Sequence, residues 1–253
     1  WVPDPEQIYA HRNGFKHQLA ARIHEALEPW TMRRVNGLVA VSERYNQVLR
    51  RRYPWIKAQA CAVLPFGADA LDHEIASRAA ASTEFFQPND GCIHGVYTGR
   101  LGPDMVFSCK VICGALKEGL ERWPNAFSKV RLHFIGTDYA SGNAGRATIL
   151  PLAAEAGISR QVSEHPGRVP YFTALRLQQD ADFLLVPGSM DPAYTASKIY
   201  PFILARRPLL AVFHEASSVV KVLNATQAGE IVTFRSQEDV HELTRRLLAV
   251  WLP

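Results

Sequence analysis

Phe183-Leu184-Leu185-Val186-Pro187-Gly188-Ser189-Met190-Asp191-Pro192-Ala193-Tyr194-Thr195-Ala196-Ser197-Lys198-Ile199-Tyr200 decides the fold class. It begins as a short, continuous apolar run, breaks at Pro187-Gly188, crosses a polar turn, and resumes in a helical pattern predicted for Ala196–Ala205. A short apolar run between turn residues is the signature of a strand buried on both faces, and a helix directly after it points to a parallel crossover. The same alternation repeats on both sides. Strands are predicted at His94–Thr98, Val130–Ile135, Phe183–Val186, Leu209–Phe213 and Ile231–Phe234. Helices are predicted between and after them, at Met105–Arg122, Ala144–Ala156, Phe172–Asp180, Ser217–Gln227 and Glu238–Val250. The reading is an α/β chain with a parallel sheet covered on both faces. In such sheets ligands bind beyond the carboxyl ends of the strands, so the loops there are the candidate site.

The first half is less regular. Tyr9 to about Val35 reads as a helix with apolar residues at Phe15, Leu19, Ile23, Ala26 and Leu27, which Pro29 is expected to kink or divide. Gly37–Val41 reads as a buried strand, Ser42 as an N-cap, Glu43–Tyr53 as a helix, and Ala62–Pro65 as a second strand. Ala70–Asp90 is weakly patterned and is read as a crossover. That gives two domains, residues 1–90 and 91–253.

Composition narrows the classes. The 253 residues are 47% hydrophobic and 21% charged, as in ordinary folded chains. The net charge of +4 suits an anionic ligand or an anionic membrane surface and is too weak to indicate nucleic acid. The longest apolar runs are strand-sized, so no spanning helix is predicted. Cys61, Cys92, Cys109 and Cys113 form no CxxC and read as free thiols in a reducing compartment. Cys109 and Cys113 share a helix face, where core packing is preferred over a metal pair.

Four loops carry the candidate chemistry. In Gly99-Arg100-Leu101-Gly102, Gly99 permits close backbone approach, Arg100 offers a donor fork for phosphate, and the helix expected from Met105 would aim amides at an anion. Gly136-Thr137 also follows a strand, and with the run to Arg146 reads as a ligand contact or a lid. In His165–Tyr171, Val169 and Tyr171 read as a nucleobase shelf with backbone groups for hydrogen bonds, Arg168 as a further ligand contact, and His165 as a general base or a structural residue. In the opening stretch, Thr195, Ser197 and Lys198 would bind a diphosphate, and Asp191 would accept from sugar hydroxyls. The basic run Arg50–Arg52 reads as a helix C-terminus before a membrane contact.

Taken together, these segments resemble family 4-type GT-B glycosyltransferases. Val35–Glu43 is similar to the "adgiiaVSe" segment near the end of the acceptor domain, and Tyr53-Pro54 with Leu64–Asp69 to "yP … lPfGvd". Tyr97–Arg100 is similar to the "vGR" donor loop, and Ser197–Phe202 with Ala205–Leu210 to "sKlyEYlaaGrPvl". Trp1 is similar to the W of a "DPW" motif inside the acceptor domain. The resemblance implies that residues 1–90 are the rear of an acceptor-side Rossmann-like domain and residues 91–253 a donor domain. It implies glycosyl transfer from a nucleotide diphosphate sugar to a hydroxyl of a glycan, lipid or small-molecule acceptor. No further cofactor, metal or nucleic acid is expected. A cytoplasmic location, with peripheral contact to the inner face of the membrane, is expected.

Two positions depart from the family pattern. Met105 stands where members often carry Lys, and Pro201 where the second Glu of the donor motif falls. These departures keep a non-catalytic nucleotide-sugar binding module open beside the transferase, as is another GT-B enzyme such as a sugar-nucleotide epimerase.

Overall fold

The computed structural model describes residues 15–78, 84–138, 145–235 and 239–251. The chain divides into two compact units, one ending at Pro65 and one beginning at Phe66. The start of the helix expected from Tyr9, the segment 141–144, and the starts of the helices expected from Ala144 and Glu238 lie outside the described residues.

In the first unit, α1 (Phe15–Met32) is followed by β1 (Leu38–Ala40), α2 (Glu43–Arg52) and β2 (Cys61–Val63). The two strands pair in parallel, Leu38 against Cys61 and Ala40 against Val63. A small core forms from Leu49, Tyr53 and Ile56, with Met32, Leu38 and Cys61 packed on it. Beside it Glu28 accepts 2.8 Å bonds from both Arg52 and the Tyr53 hydroxyl. Two expectations are corrected here. α1 runs unbroken through Pro29, which lacks the N–H that would bond the carbonyl one turn earlier but does not end the helix. β1 is not buried, since Val39 is 69% exposed. The apolar positions Leu19, Ile23 and Leu27 of α1 are about half exposed, while Ala21 is buried. At the start of α2, Ser42 stands at the N-cap position but its hydroxyl makes no capping bond.

The second unit opens with α3 (Ala70–Arg78), a helix in the stretch expected to be a plain crossover. It packs against α7 (Tyr171–Asp180), with Arg176 donating to the Ser77 carbonyl at 2.7 Å and Gln179 to the His73 carbonyl at 2.8 Å. These contacts are the reason the compact unit starts at Phe66 and not at the break read at residue 91.

The rest of the unit is the expected alternation. It runs β3 (Ile93–Thr98), α4 (Val106–Arg122), α5 (Pro124–Phe127), β4 (Val130–Ile135), α6 (Ile149–Ala156), β5 (Val162–His165), α7, β6 (Phe183–Pro187), α8 (Ile199–Leu204), β7 (Leu209–His214), α9 (Ser218–Thr226), β8 (Glu230–Phe234) and α10 (Val240–Trp251). All pairings are parallel, in the order β5-β4-β3-β6-β7-β8. That order is doubly wound, with β3 and β6 flanking the point where the winding reverses. Every residue of β6 is buried, so both faces are covered. α4 packs on β6 and β7, and α7 on β3. Cys109 and Cys113 lie in this core, where burial pushes both thiols well above their usual range.

β5 was not anticipated. It is a short edge strand whose Ser163 and Glu164 conceal the apolar pattern. Its Glu164 is structural, accepting from the amides of Thr148, Ile149 and Leu150 at 2.9–3.1 Å and so capping the start of α6. The helix expected from Ala196 begins later, at Ile199. Ala196–Lys198 instead form a turn, with Ile199 N donating to the Ala196 carbonyl at 3.2 Å. Pro201, which has no N–H to give, falls in the first turn of α8, where none is needed.

Candidate binding site at the carboxyl edge of the sheet

The reversal point between β3 and β6 opens into a cavity of about 750 Å³. Its walls come from the loops after β3 and β4, the start of α7, and the turn before α8, with Gly67 and Ala68 at one side.

The loop after β3 is built first. Ladder bonds continue past the strand end, with Gly99 N donating to the Ile135 carbonyl and Leu101 N to the Thr137 carbonyl, both at 2.8 Å. Gly99 has φ +132°, a conformation that side chains disfavour, and a Cβ there would lie 2.9 Å from Lys198 Nζ. The loop is tied to the one after β6 by Met190 N, which donates to the Asp104 carbonyl at 2.8 Å. Lys198 Nζ crosses the same gap, donating to the Arg100 carbonyl at 3.3 Å. The two loops read as phosphate-facing are therefore adjacent, although their sequences lie far apart.

The charges are not as the sequence suggested. The Arg100 guanidinium is engaged by Asp104, with a 2.5 Å contact to its carboxylate, so the donor fork closes on a neighbour one turn away. The helix starts at Val106 after a 3₁₀ turn at Pro103–Met105, and the Met105 side chain is fully buried and does not line the cavity. Lys198 stands between the phenol of Tyr97 and the backbone of the loop. Burial, reinforced by the Arg100 charge and opposed by Asp104, lowers its pKa to about 7.

The expected site residues divide into two groups. Gly99, Arg100, Gly136, Arg168, Val169, Tyr171, Thr195, Ser197 and Lys198 all line the cavity. Tyr171 is half exposed and donates to Asp72 at 3.0 Å; burial and this carboxylate raise its pKa. Thr137 and Asp191 are turned away from the cavity. The Thr137 hydroxyl is buried and donates to Glu164 at 2.7 Å, which locks the loop after β4 onto the α6 cap. Asp191 accepts from Ala193 N at 2.8 Å and so shapes the turn after β6. His165 does not line the cavity; its ring packs edge-on against Phe85. Among the described residues no group of three or more His, Cys, Asp or Glu is placed to hold a metal ion, and no helix is long and apolar enough to cross a membrane.

The sequence reading missed Tyr97 and Gln178. Tyr97 is the penultimate residue of β3 and looks like a core residue in an apolar run. Gln178 lines the cavity from α7 and donates to the Thr98 hydroxyl at 2.7 Å. Its position one helical turn beyond Ala174, also on the wall, was the available signal.

No protein-family model and no curated protein matches this sequence. Solved structures do match in fold. A glycosyltransferase from Rickettsia africae superposes with TM-score 0.63 at 14% identity, over 85% of this chain and 53% of that one. WaaG, a glycosyltransferase involved in lipopolysaccharide biosynthesis, gives TM-score 0.61 at 15% identity, over 98% and 64%. An E. coli trehalose-6-phosphate protein bound with UDP-2-fluoro glucose gives 0.61 at 12%, over 98% and 58%. The chain thus spans between about half and two thirds of the length of these structures. Its six-stranded parallel unit has the Rossmann-like fold of half of a GT-B glycosyltransferase.

Proposed function

We propose that the cavity beyond β3 and β6 binds the nucleotide diphosphate of a sugar donor, and that the protein transfers the sugar to an acceptor hydroxyl. The observation that carries this reading is the convergence of Gly99, Arg100 and Lys198 at the point where the winding of the sheet reverses. Glycosyl transfer requires a leaving diphosphate to be neutralised as the anomeric bond breaks. A positive group held at a backbone turn that admits close approach does this without reorganisation. Lys198 supplies the charge, and Gly99 supplies the approach. Arg100 joins when a phosphate competes with Asp104 for its guanidinium. Val169, Tyr171 and the backbone at Gly136 form the wall on which a nucleobase would lie, with Arg168 at its rim. Residues 1–90 are then the rear of the acceptor side together with the interdomain connection and 91–253 the donor side, α3 being the part of the connection that packs within the second unit.

The donor site is tested by titrating the chain with UDP, GDP and ADP and with the matching nucleosides. Saturable binding of a diphosphate, with much weaker binding of its nucleoside, supports the reading; no preference for the diphosphate contradicts it. Transfer is tested by incubating the full-length protein with the corresponding labelled nucleotide sugar and a panel of hydroxyl acceptors.

A second reading has its own support. Met105 is buried and Pro201 lines the cavity, so neither position offers the amine or carboxylate of the family pattern. A protein that binds a nucleotide sugar without transferring it fits these two positions. Tight donor binding by the full-length protein with neither transfer nor donor hydrolysis would select it.

A further inference from the structure

Tyr97 has a hydrogen-bonding arrangement that core packing does not require. Its ring is fully buried beside Phe134 and Phe202. Its hydroxyl lies 2.5 Å from the Arg100 carbonyl and 2.5 Å from Lys198 Nζ. A phenol has one proton, and a carbonyl can only accept, so that proton goes to Arg100 O. The contact with Lys198 must therefore run from the amine to the phenol oxygen. Lys198 thus spends two of its donors on Tyr97 and the Arg100 carbonyl. In the ammonium form a third remains for the cavity that it lines.

We infer that Tyr97 is the positioning residue of the site proposed above: its hydroxyl holds the Lys198 amine in a seat over Gly99, and binding of a diphosphate in front of that seat draws a proton onto the amine. The inference rests on the proposed donor site and adds a linkage between ligand and proton. The charged and titratable groups around the seat are Arg100, which opposes the ammonium, and Asp104, which favours it; Tyr194 and Cys109 face Tyr97. With the free amine titrating at about 7, much of the population is neutral at pH 8. A bound diphosphate favours the ammonium, so binding at that pH takes up close to one proton, and affinity falls by up to about tenfold per unit as pH rises above 7. Without the phenol oxygen the amine loses its tether and turns to water, where it is protonated throughout this range. The proton linkage then disappears.

The experiment is calorimetric titration, in buffers of different ionisation enthalpy from pH 6.5 to 8.5. The probe is whichever of UDP, GDP and ADP binds the wild type most tightly. Wild type should take up nearly one proton at pH 8. Tyr97→Phe keeps the ring and should bind roughly tenfold more weakly at pH 7, with proton uptake near zero and a flat pH profile. In a Lys198→Met background the further change Tyr97→Phe should cost no additional affinity, because Tyr97 acts through the amine. Binding by the wild type without proton uptake, or Tyr97→Phe with the wild-type pH profile, would overturn the role of Tyr97 and leave the donor site standing. An equal loss from Tyr97→Phe with and without Lys198 would reduce Tyr97 to packing and overturn the inference. Failure of every diphosphate to bind would overturn the donor site and the inference together.

Discussion

A methyl group placed on Gly99 would lie 2.9 Å from the Lys198 ammonium nitrogen, closer than real side-chain contacts allow. The two residues come from different loops, and Gly99 holds a backbone angle of φ +132° that favours glycine. Gly99→Ala therefore meets two obstacles, backbone strain and displacement of Lys198. Strain of this kind costs about 1–3 kcal/mol. The variant should unfold at correspondingly lower denaturant and should bind a nucleoside diphosphate at least several-fold more weakly, with nucleoside binding little changed. Denaturant unfolding and titration of both ligands check this. Unchanged affinity for the diphosphate would separate Gly99 from the site.

Glu164 links two loops by its oxygens. It accepts the Thr137 hydroxyl at 2.7 Å and three amides at the start of α6 at 2.9–3.1 Å. Glu164→Ala should cost about 2–3 kcal/mol, from a lost helix cap and charge-assisted hydrogen bonds. For a chain of this size that lowers the melting temperature by roughly 4–12 °C. Calorimetric melting checks it; a change below about 1 °C would mean that the cap is not a stabilising feature.

Acid should unlatch the middle of the second unit. Asp90 can only accept, so His94 Nε2 carries a proton toward it at 3.1 Å. His94 Nδ1 then accepts from His133 Nε2 at 2.9 Å, and His133 Nδ1 from the Ser163 hydroxyl at 2.8 Å. Both rings are buried, and Phe86 stacks on them. This chain can reorganise around one added proton, but a second leaves two N–H groups facing each other. Burial, then the neighbouring His94, lowers the His133 pKa from 6.5 to about 4. The unfolded state thus binds more protons in that interval. The stability from this group is whole above about pH 6.5 and is lost as pH falls toward 4, a change of a few kcal/mol. Denaturant unfolding between pH 7.5 and 4 should show this decline, and His133→Gln should flatten it. A slope unaltered in the variant would place the titration elsewhere.

Much of the second unit was legible because β6 and β7 are almost continuous apolar runs bounded by turn residues, as strands buried on both faces are. Val130–Ile135 was read to the residue, and β3, β6, β7 and β8 to within one residue at an end. β5 was not legible, because an edge strand that supplies a capping glutamate carries polar residues where the pattern calls for apolar ones. α3 was not, because it is held largely by polar contacts, Arg176 to Ser77 and Gln179 to His73. The same logic divides the site. Gly99, Arg100 and Lys198 stood out as glycine and cations directly after strands. Thr137 and Asp191 have the same polar character in the same kind of loop, but their oxygens are engaged within the fold. Tyr97 was invisible for the opposite reason, since a tyrosine in a buried strand differs from a phenylalanine by a single oxygen atom.

Lys198 carries the central claim, and its removal tests that claim most directly. The measurement is calorimetric titration of wild type and Lys198→Ala, at pH 7 and fixed salt, with the preferred nucleoside diphosphate and its nucleoside. A charge-assisted hydrogen bond in a partly buried site is worth about 1.5–3 kcal/mol, so the diphosphate should bind about 10- to 150-fold more weakly to the variant. The nucleoside, which lacks the phosphates, should bind the two proteins within about twofold of each other. Equal effects on the two ligands, or none on either, would contradict a diphosphate site at this edge of the sheet.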